Sequence, residues 1–200
     1  MDDVVRQAMA KWPNVPHCFG WLMLDARGGW RMRDERAQHL DLPGDKIDHP
    51  ALLGFINRNY THDAQGRWYF QNGPQRVYVD LELTPYVIRT DPSAGFVLQT
   101  GESLAAPTNA WLTTEGRLLL QAGDVVATLD DRDVAAVLAT LTSGGATASD
   151  EMIMDWLEKE DSAELNLPCA GRNLPLQHID AGKLAAQFGF VTRPRAEAPD

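Results

Sequence analysis

Arg76, Tyr78, Asp80 and Glu82 alternate with Val77, Val79, Leu81 and Leu83 in one short run of the sequence. Residues two apart on a β-strand share a face, so this spacing sends four polar side chains to one side and four aliphatic ones to the other. Asp80 and Glu82 then form a carboxylate pair, suited to acid–base work or to holding a cation through oxygen. Arg76 and Tyr78 beside them would orient an anionic or aromatic ligand. These four are the candidate ligand-binding residues. The competing expectation is a solvent-facing strand laced with cross-strand pairs. Aromatic residues crowd the same half of the chain: Trp21, Trp30, Trp68, Tyr69, Phe70, Tyr78 and Tyr86. Most are expected in the core, with some left to line a pocket beside the strand or a protein interface.

Other chemistry is sparse. The chain has no P-loop, no dinucleotide-binding glycine fingerprint, no Gly-x-Ser-x-Gly elbow and no His-Glu-x-x-His. His17, His39, His49, His62 and His178 stand apart from one another and read as loop or capping residues. Cys18 and Cys169 form no Cys-x-x-Cys pair, and no histidine lies at metal-ligand spacing from Cys169. His17 adjoins Cys18, but both cysteines read as small buried hydrophobes, and a disulfide would need the fold to bring them together. No catalytic residue, metal or cofactor is expected. Arg31, Arg33 and Arg36 enclose Asp34 and Glu35, which reads as a solvated mixed-charge loop rather than a phosphate site.

The bulk properties set the frame for these residues. The formal net charge of the 200-residue chain is −10, which repels nucleic-acid backbones, so no nucleic-acid partner is expected. Apolar residues make up 44% and charged residues 23%, as in an ordinary globular protein long enough to bury its own core. The start, "MDDVVRQAMAKW", is acidic and amphipathic and lacks the layout of a secretory signal. The apolar runs "WLML" and "LLL" are far too short to span a membrane. The expectation is a cytoplasmic bacterial protein with no membrane partner.

The elements that must position the candidate strand follow from periodicity. Residues 2–12 place Val4, Val5, Ala8, Met9 and Trp12 on one helical stripe, ended by Pro13 and Pro16. "FGWLMLDARGGWRMR" predicts a hairpin, and residues 34–46 a polar loop. "DHPALLGFINRNY" predicts a short helix capped by Asp48. "DAQGRWYFQNGPQRVYVDLELTPYVIRT" is the strongest β region, with Pro85 ending the candidate strand or placing it at an edge. After the linker "GESLAAPTN" come turns at "TEGR" and "AGD", then a helix over Val134, Val137, Leu138 and Leu141 capped by Asp131 or Asp133. A second helix follows Ser149 and buries Ile153, Trp156 and Leu157. "LNLPCAGRNLPLQ" is a last hairpin, followed by a helix capped by Asp180 and closed at Gly189.

"DARGGW" (25–30) and "DAQGRW" (63–68) write the same Asp-Ala-x-Gly-x-Trp pattern twice. Both read as one turn device: glycine takes a positive φ, aspartate bonds the turn backbone, and tryptophan packs just beyond. Gly28, Gly66, Gly116 and Gly171 are each expected in such a hairpin turn. A lone hairpin is marginal in water, so each needs a helix or sheet across its apolar face. The result is an α+β fold with antiparallel-rich sheets built from repeated β-hairpin-plus-helix units. The expected divisions are an N-terminal α+β domain over 1–104, a C-terminal one over 105–192, and a disordered tail over 193–200.

The segment from Gly20 to Leu141 resembles a family of small bacterial proteins, domain of unknown function 1285, or a proteobacterial family related to it. The turns "DARGGW" and "DAQGRWYF", the helix "HPALLGFINRNY", the strand "RVYVDLELTPYVIRT" and "GFVLQTGE" carry the resemblance. The loop over 33–47 is long for that family, and the helix and hairpin after Gly145 have no counterpart in it. The resemblance implies two small α+β domains with repeated motifs, and suggests a signalling or ligand-sensing role without an activity.

The leading expectation is therefore a non-enzymatic regulatory module that binds a small molecule or a protein. The alternatives are a hydrolase using Asp80 or Glu82 with a histidine brought near by folding, and a structural subunit of a homodimer.

Overall fold

The computed structural model describes residues 1–158 and 164–196. The chain divides into two compact units, Met1–Pro85 joined by the chain from Gly189, and Tyr86–Phe188. The sequence-based boundary at 104/105 differs from this division, because "PYVIRT" and "GFVLQT" pair with strands of the second unit. Among the described residues no helix is long and apolar enough to cross a membrane.

The first unit runs α1 (Asp3–Lys11), β1 (Cys18–Leu24), β2 (Trp30–Met32), α2 (Glu35–His39), β3 (Asp45–Lys46), α3 (Pro50–Arg58), β4 (Tyr60–His62), β5 (Trp68–Asn72) and β6 (Gln75–Leu81). Its sheet has the order β3-β2-β1-β6-β5-β4. Neighbours are antiparallel except β1 and β6, which run parallel. The candidate strand β6 is thus central rather than an edge. On one face Leu22, Leu24, Trp30, Phe70, Val79 and Leu81 are buried, with Ile56 of α3. Phe55 of α3 meets the Phe70 ring edge-on at 5.3 Å. α3 starts at His49, whose ring accepts from the Leu52 N–H at 3.4 Å, and Pro50 follows in the first turn. The cap is one residue later than Asp48. Of the apolar stripe on α1 only Val5 is buried, and Val4 and Trp12 stand exposed.

The second unit runs β7 (Tyr86–Asp91), β8 (Gly95–Leu98), β9 (Asn109–Thr113), β10 (Leu118–Ala122), β11 (Val125–Leu129), α4 (Asp131–Leu138), β12 (Thr142–Ser143), β13 (Ala146–Thr147), α5 (Asp150–Glu158), β14 (Asn166–Cys169), β15 (Arg172–Ile179), a 3-10 turn (Ala181–Lys183) and α6 (Leu184–Phe188). Its sheet order is β13-β12-β14-β15-β9-β10-β11-β7-β8, parallel only at β15–β9 and β11–β7. Val137 of α4 and Ile153 and Trp156 of α5 close over Leu112, Leu118, Leu120 and Leu167. Asp130 rather than Asp131 caps α4, accepting from the Arg132 N–H, while the Asp133 carboxylate accepts from the Thr90 N–H at 2.7 Å. The fold is α+β with mostly antiparallel sheets, as the periodicity implied.

Residues 34–46, expected as loop, fold into α2 and β3. Asp34 caps α2 through the Ala37 N–H at 2.7 Å, and β3 pairs with β2. The expected tail is also corrected where it is described. Val191 donates its N–H to Gly66 O at 3.0 Å, Thr192 O accepts from the Leu81 N–H at 2.7 Å, and Arg193 and Arg195 reach into the first unit. Residues 197–200 of that tail lie outside the described residues.

The doubled turn has one hydrogen-bond plan. At Asp25 the carboxylate accepts from the Arg27 and Gly29 N–H groups and from Arg31 Nε. At Asp63 it accepts from the Gln65 and Arg67 N–H groups and from Arg67 Nε. Gly28 and Gly66 each donate back to the aspartate carbonyl and hold φ of 77° and 72°. Thr113 takes the aspartate's place before Gly116, and Gly171 turns the last hairpin, both glycines again with positive φ. Their surroundings differ: a Cβ at Gly66 would strike the Gly189 carbonyl oxygen, whereas one at Gly116 meets nothing within 4 Å. Alanine at Gly116 should cost about 1 kcal/mol for the left-handed backbone alone. Gly66→Ala should cost clearly more, and urea denaturation of the two variants measures the difference.

Candidate functional site

The polar row is covered at Tyr78 and Asp80, while Arg76 is half-buried and Glu82 is exposed. Tyr78 is 1% exposed and Asp80 2%. Register explains which side chains meet Asp80. It lies beside Met23 of β1, and Met23 lies beside Arg31 of β2. Arg33, two residues further along, shares that face. Its side chain is 3% exposed, so it belongs to the interior and not to a solvated loop.

Every nitrogen of the Arg33 guanidinium has a partner. Nη1 donates to Asp80 Oδ2 at 2.7 Å, Nε to Leu42 O at 2.9 Å, and Nη2 to Asp41 Oδ1 at 3.0 Å and Ala37 O at 3.3 Å. The C-terminal segment brings two more arginines. Arg195 Nη1 donates to Asp80 Oδ1 at 2.7 Å and Nη2 to Asp80 Oδ2 at 3.2 Å, the bidentate geometry that suits guanidinium to carboxylate. Arg193 Nη2 donates to Asp41 Oδ2 at 2.9 Å. The chain of charges runs Arg195–Asp80–Arg33–Asp41–Arg193. The hydrogen bond from Arg193, foremost, holds the Asp41 carboxyl below its ordinary value. That from Arg195 to Asp80 likewise raises the Arg195 pKa.

This chain of charges borders two cavities. One, of about 300 Å³, is lined by Phe19, Gly20 and Gln38 together with Arg33, Asp41, Asp80, Arg193 and Arg195. Gly20 keeps it open: φ is 79°, the β1–β6 register shifts around it, and a Cβ there would press on Gln38 Oε1. The other, of about 520 Å³, adds Met23, Leu42, Pro43, Leu81, Glu82 and Thr192 to four of the same charged residues.

The row of four predicted residues is divided by this geometry. Asp80 borders both cavities and Glu82 the larger, its carboxylate accepting from the Ala26 N–H at 2.9 Å. Arg76 and Tyr78 border neither. Arg76 lies 4.7 Å over the Tyr69 ring, and Tyr78 stacks on Phe19 at 4.6 Å while its hydroxyl donates to Asp63 at 3.0 Å. Of the N-terminal aromatics, Trp30, Trp68, Tyr69 and Phe70 are core and Trp21 is exposed. Cys18 and Cys169 are free thiols in different units. No cluster of three metal-ligating side chains occurs among the described residues.

Sequence reasoning missed Arg33, Asp41, Arg193 and Arg195. One signal was legible: Arg31 and Arg33 lie two apart at the end of a strand, as do Arg193 and Arg195 on an extended segment. Asp41 carried none, since only its φ of 51° and its partners set it apart.

The fold and this cleft define an α+β protein of two compact units with a guanidinium–carboxylate network on the sheet of the first. The sequence model of the DUF2944 family, described as "Protein of unknown function (DUF2946)", matches residues 1–195, and the chain belongs to that family. It is similar to the crystal structure of a DUF1285 family protein from Silicibacter pomeroyi DSS-3, with 14% identity and a TM-score of 0.49 over 88% of this chain and 96% of that one. No curated protein matches it.

Two outcomes test the electrostatics. Asp80→Ala removes the buried partner of Arg33 and leaves it only the exposed Asp41 as ionic partner, which should cost about 3 kcal/mol, whereas the double variant Arg33→Met/Asp80→Leu should recover most of it. Urea denaturation of the three proteins reads this out. Burial disfavours the Asp63 carboxylate, but hydrogen bonds from Arg67 and Tyr78 outweigh it, so its folded pKa lies below the unfolded one. Its stabilisation is complete above the ordinary aspartate pKa of about 3.9 and fades as pH falls through the lowered folded value. The stability gap between the wild type and Asp63→Asn should therefore shrink on acidification, as chemical denaturation at a series of pH values would show.

Proposed function

We propose that the protein is a non-enzymatic binding module for a small anionic ligand, received in the cleft beside Asp80, and that it serves a regulatory role. The carrying observation is the charge balance of the smaller cavity. Three guanidiniums, Arg33, Arg193 and Arg195, face two carboxylates, Asp41 and Asp80. On a chain of net charge −10, this smaller cavity carries one positive charge in excess. The excess sits on Arg193 and Arg195, whose side chains are more than half exposed and whose guanidiniums are aligned by Asp41 and Asp80. Preorganised arginines favour carboxylate and phosphate oxygens, because little rotamer freedom is lost when the ligand arrives.

A hydrolase reading finds less support. Both Asp80 oxygens already accept from arginines, which leaves a poor base. Neither cavity is lined by a histidine among the described residues.

Inorganic phosphate and acetate are the first probes. Either should raise the melting temperature of the wild type saturably. Arg195→Ala, which leaves the Arg33–Asp80 pair in place, should weaken binding by about tenfold or more, as loss of a charged hydrogen bond does. Arg76→Ala should bind like the wild type, since Arg76 faces Tyr69 instead of the cleft. No shift with any anion, or equal shifts in all three proteins, would overturn the reading.

A further inference from the structure

We infer that the ligand is an amphipathic monocarboxylate, its charged end held by Arg193 and Arg195 and its apolar part lying in the larger cavity. This rests on the anion-binding reading and names the ligand class for that same cleft.

Three observations carry it. First, the two cavities share a wall of Arg33, Asp41, Asp80 and Arg193, so Arg193 reaches both. Second, they differ in character. Beyond the shared wall the smaller cavity adds Arg195 and Gln38 beside Phe19 and Gly20, whereas the larger adds Met23, Leu42, Pro43 and Leu81 beside Thr192 and Glu82. Leu42 stands 43% exposed at this rim. Third, the far side of the larger cavity carries Glu82, its carboxylate fixed by the Ala26 N–H. A second negative charge on the ligand would meet Glu82, so the cleft suits one carboxylate and an uncharged remainder.

The exposed part of the shared wall is the Arg193–Asp41 pair, with both side chains 57% exposed. An exposed ion pair is weakly held. An incoming carboxylate can take the place of Asp41 on Arg193, exchanging like for like, while Asp41 keeps its bond to Arg33. That exchange is close to neutral in free energy. The gain comes from the apolar part, as the side chains of Met23 and Leu42 lose water on contact with it. Affinity should therefore climb with chain length.

Calorimetric titration of the full chain with acetate, butyrate, hexanoate and octanoate tests this, with inorganic phosphate and 1-octanol alongside. Each added methylene should tighten binding by about two- to fourfold until the cavity is filled. 1-Octanol, lacking the charge, should bind at least tenfold more weakly than octanoate. Leu42→Ser should weaken octanoate severalfold more than it weakens phosphate, and Arg193→Ala should weaken both. The chain-length series uses the wild type alone, so it stands whatever the variants do to folding. Phosphate and acetate binding with no gain from acetate to octanoate would overturn this inference and leave the anion site standing. Octanol binding as tightly as octanoate would overturn it too. Binding of none of these anions would remove both readings together.

Discussion

A carboxylate buried near the end of a central β-strand is the constraint on which the first unit depends. Asp80 has Val79 and Leu81 as its chain neighbours and lies two strands in from β2. An unpaired charge there would be untenable, because desolvation costs several kcal/mol per ion. Arg33 answers it at 2.7 Å, but Arg33 is itself buried and needs acceptors for its other nitrogens. The carbonyls of Ala37 and Leu42 and the carboxylate of Asp41 supply them, which fixes α2 and the bend after it against the sheet. Asp41 then takes Arg193, and Asp80 takes Arg195. One buried charge thus dictates the path of two segments far apart in sequence.

That dependence explains what was legible in the sequence and what was not. Local signals held. Turns at Gly28, Gly66, Gly116 and Gly171 all take positive φ, and the hairpins and helices around them form as the periodicity implied. The alternation of β6 also held as geometry, since Tyr78 and Asp80 share a face opposite Val79. The reading of that face as solvent failed at Asp80, because its cover comes from 47 residues before and 115 residues after it. Alternation reports which side chains share a face, and says nothing about what non-local chain lies over it. The same limit hid Arg33: flanked by charges in sequence, it looks solvated, and only its partner across β1 makes it interior.

The repeated turn serves the cleft as well as the fold. Gly66 has no side chain, so the chain near Gly189 can pass against it, and Val191 bonds to its carbonyl. From that anchor the segment runs past the end of β6, where Thr192 receives the Leu81 N–H, and sets Arg193 and Arg195 down on the charged row. At the other copy, the Glu82 carboxylate bonds to Ala26 within "DARGGW" and holds the acidic end of the larger cavity. The two turns therefore bracket the cleft, one delivering its arginines and the other fixing its carboxylate.

Stability alone gives no reason for such a network. Buried ion pairs contribute little net stabilisation, and well-packed apolar side chains of similar volume commonly serve a core as well or better. Elsewhere this chain builds that way: the core of the second unit joins residues such as Leu112, Leu118, Leu120 and Leu141 with almost no exposure. On the first sheet the charges are instead graded, from Arg33 and Asp80 at 3% side-chain exposure to Asp41, Arg193 and Arg195 at more than half. The buried pair sets the geometry, and the exposed members stay free to exchange partners. A buried charge pair coupled to exposed ones beside a cavity fits the binding role proposed above, and apolar packing alone does not call for it.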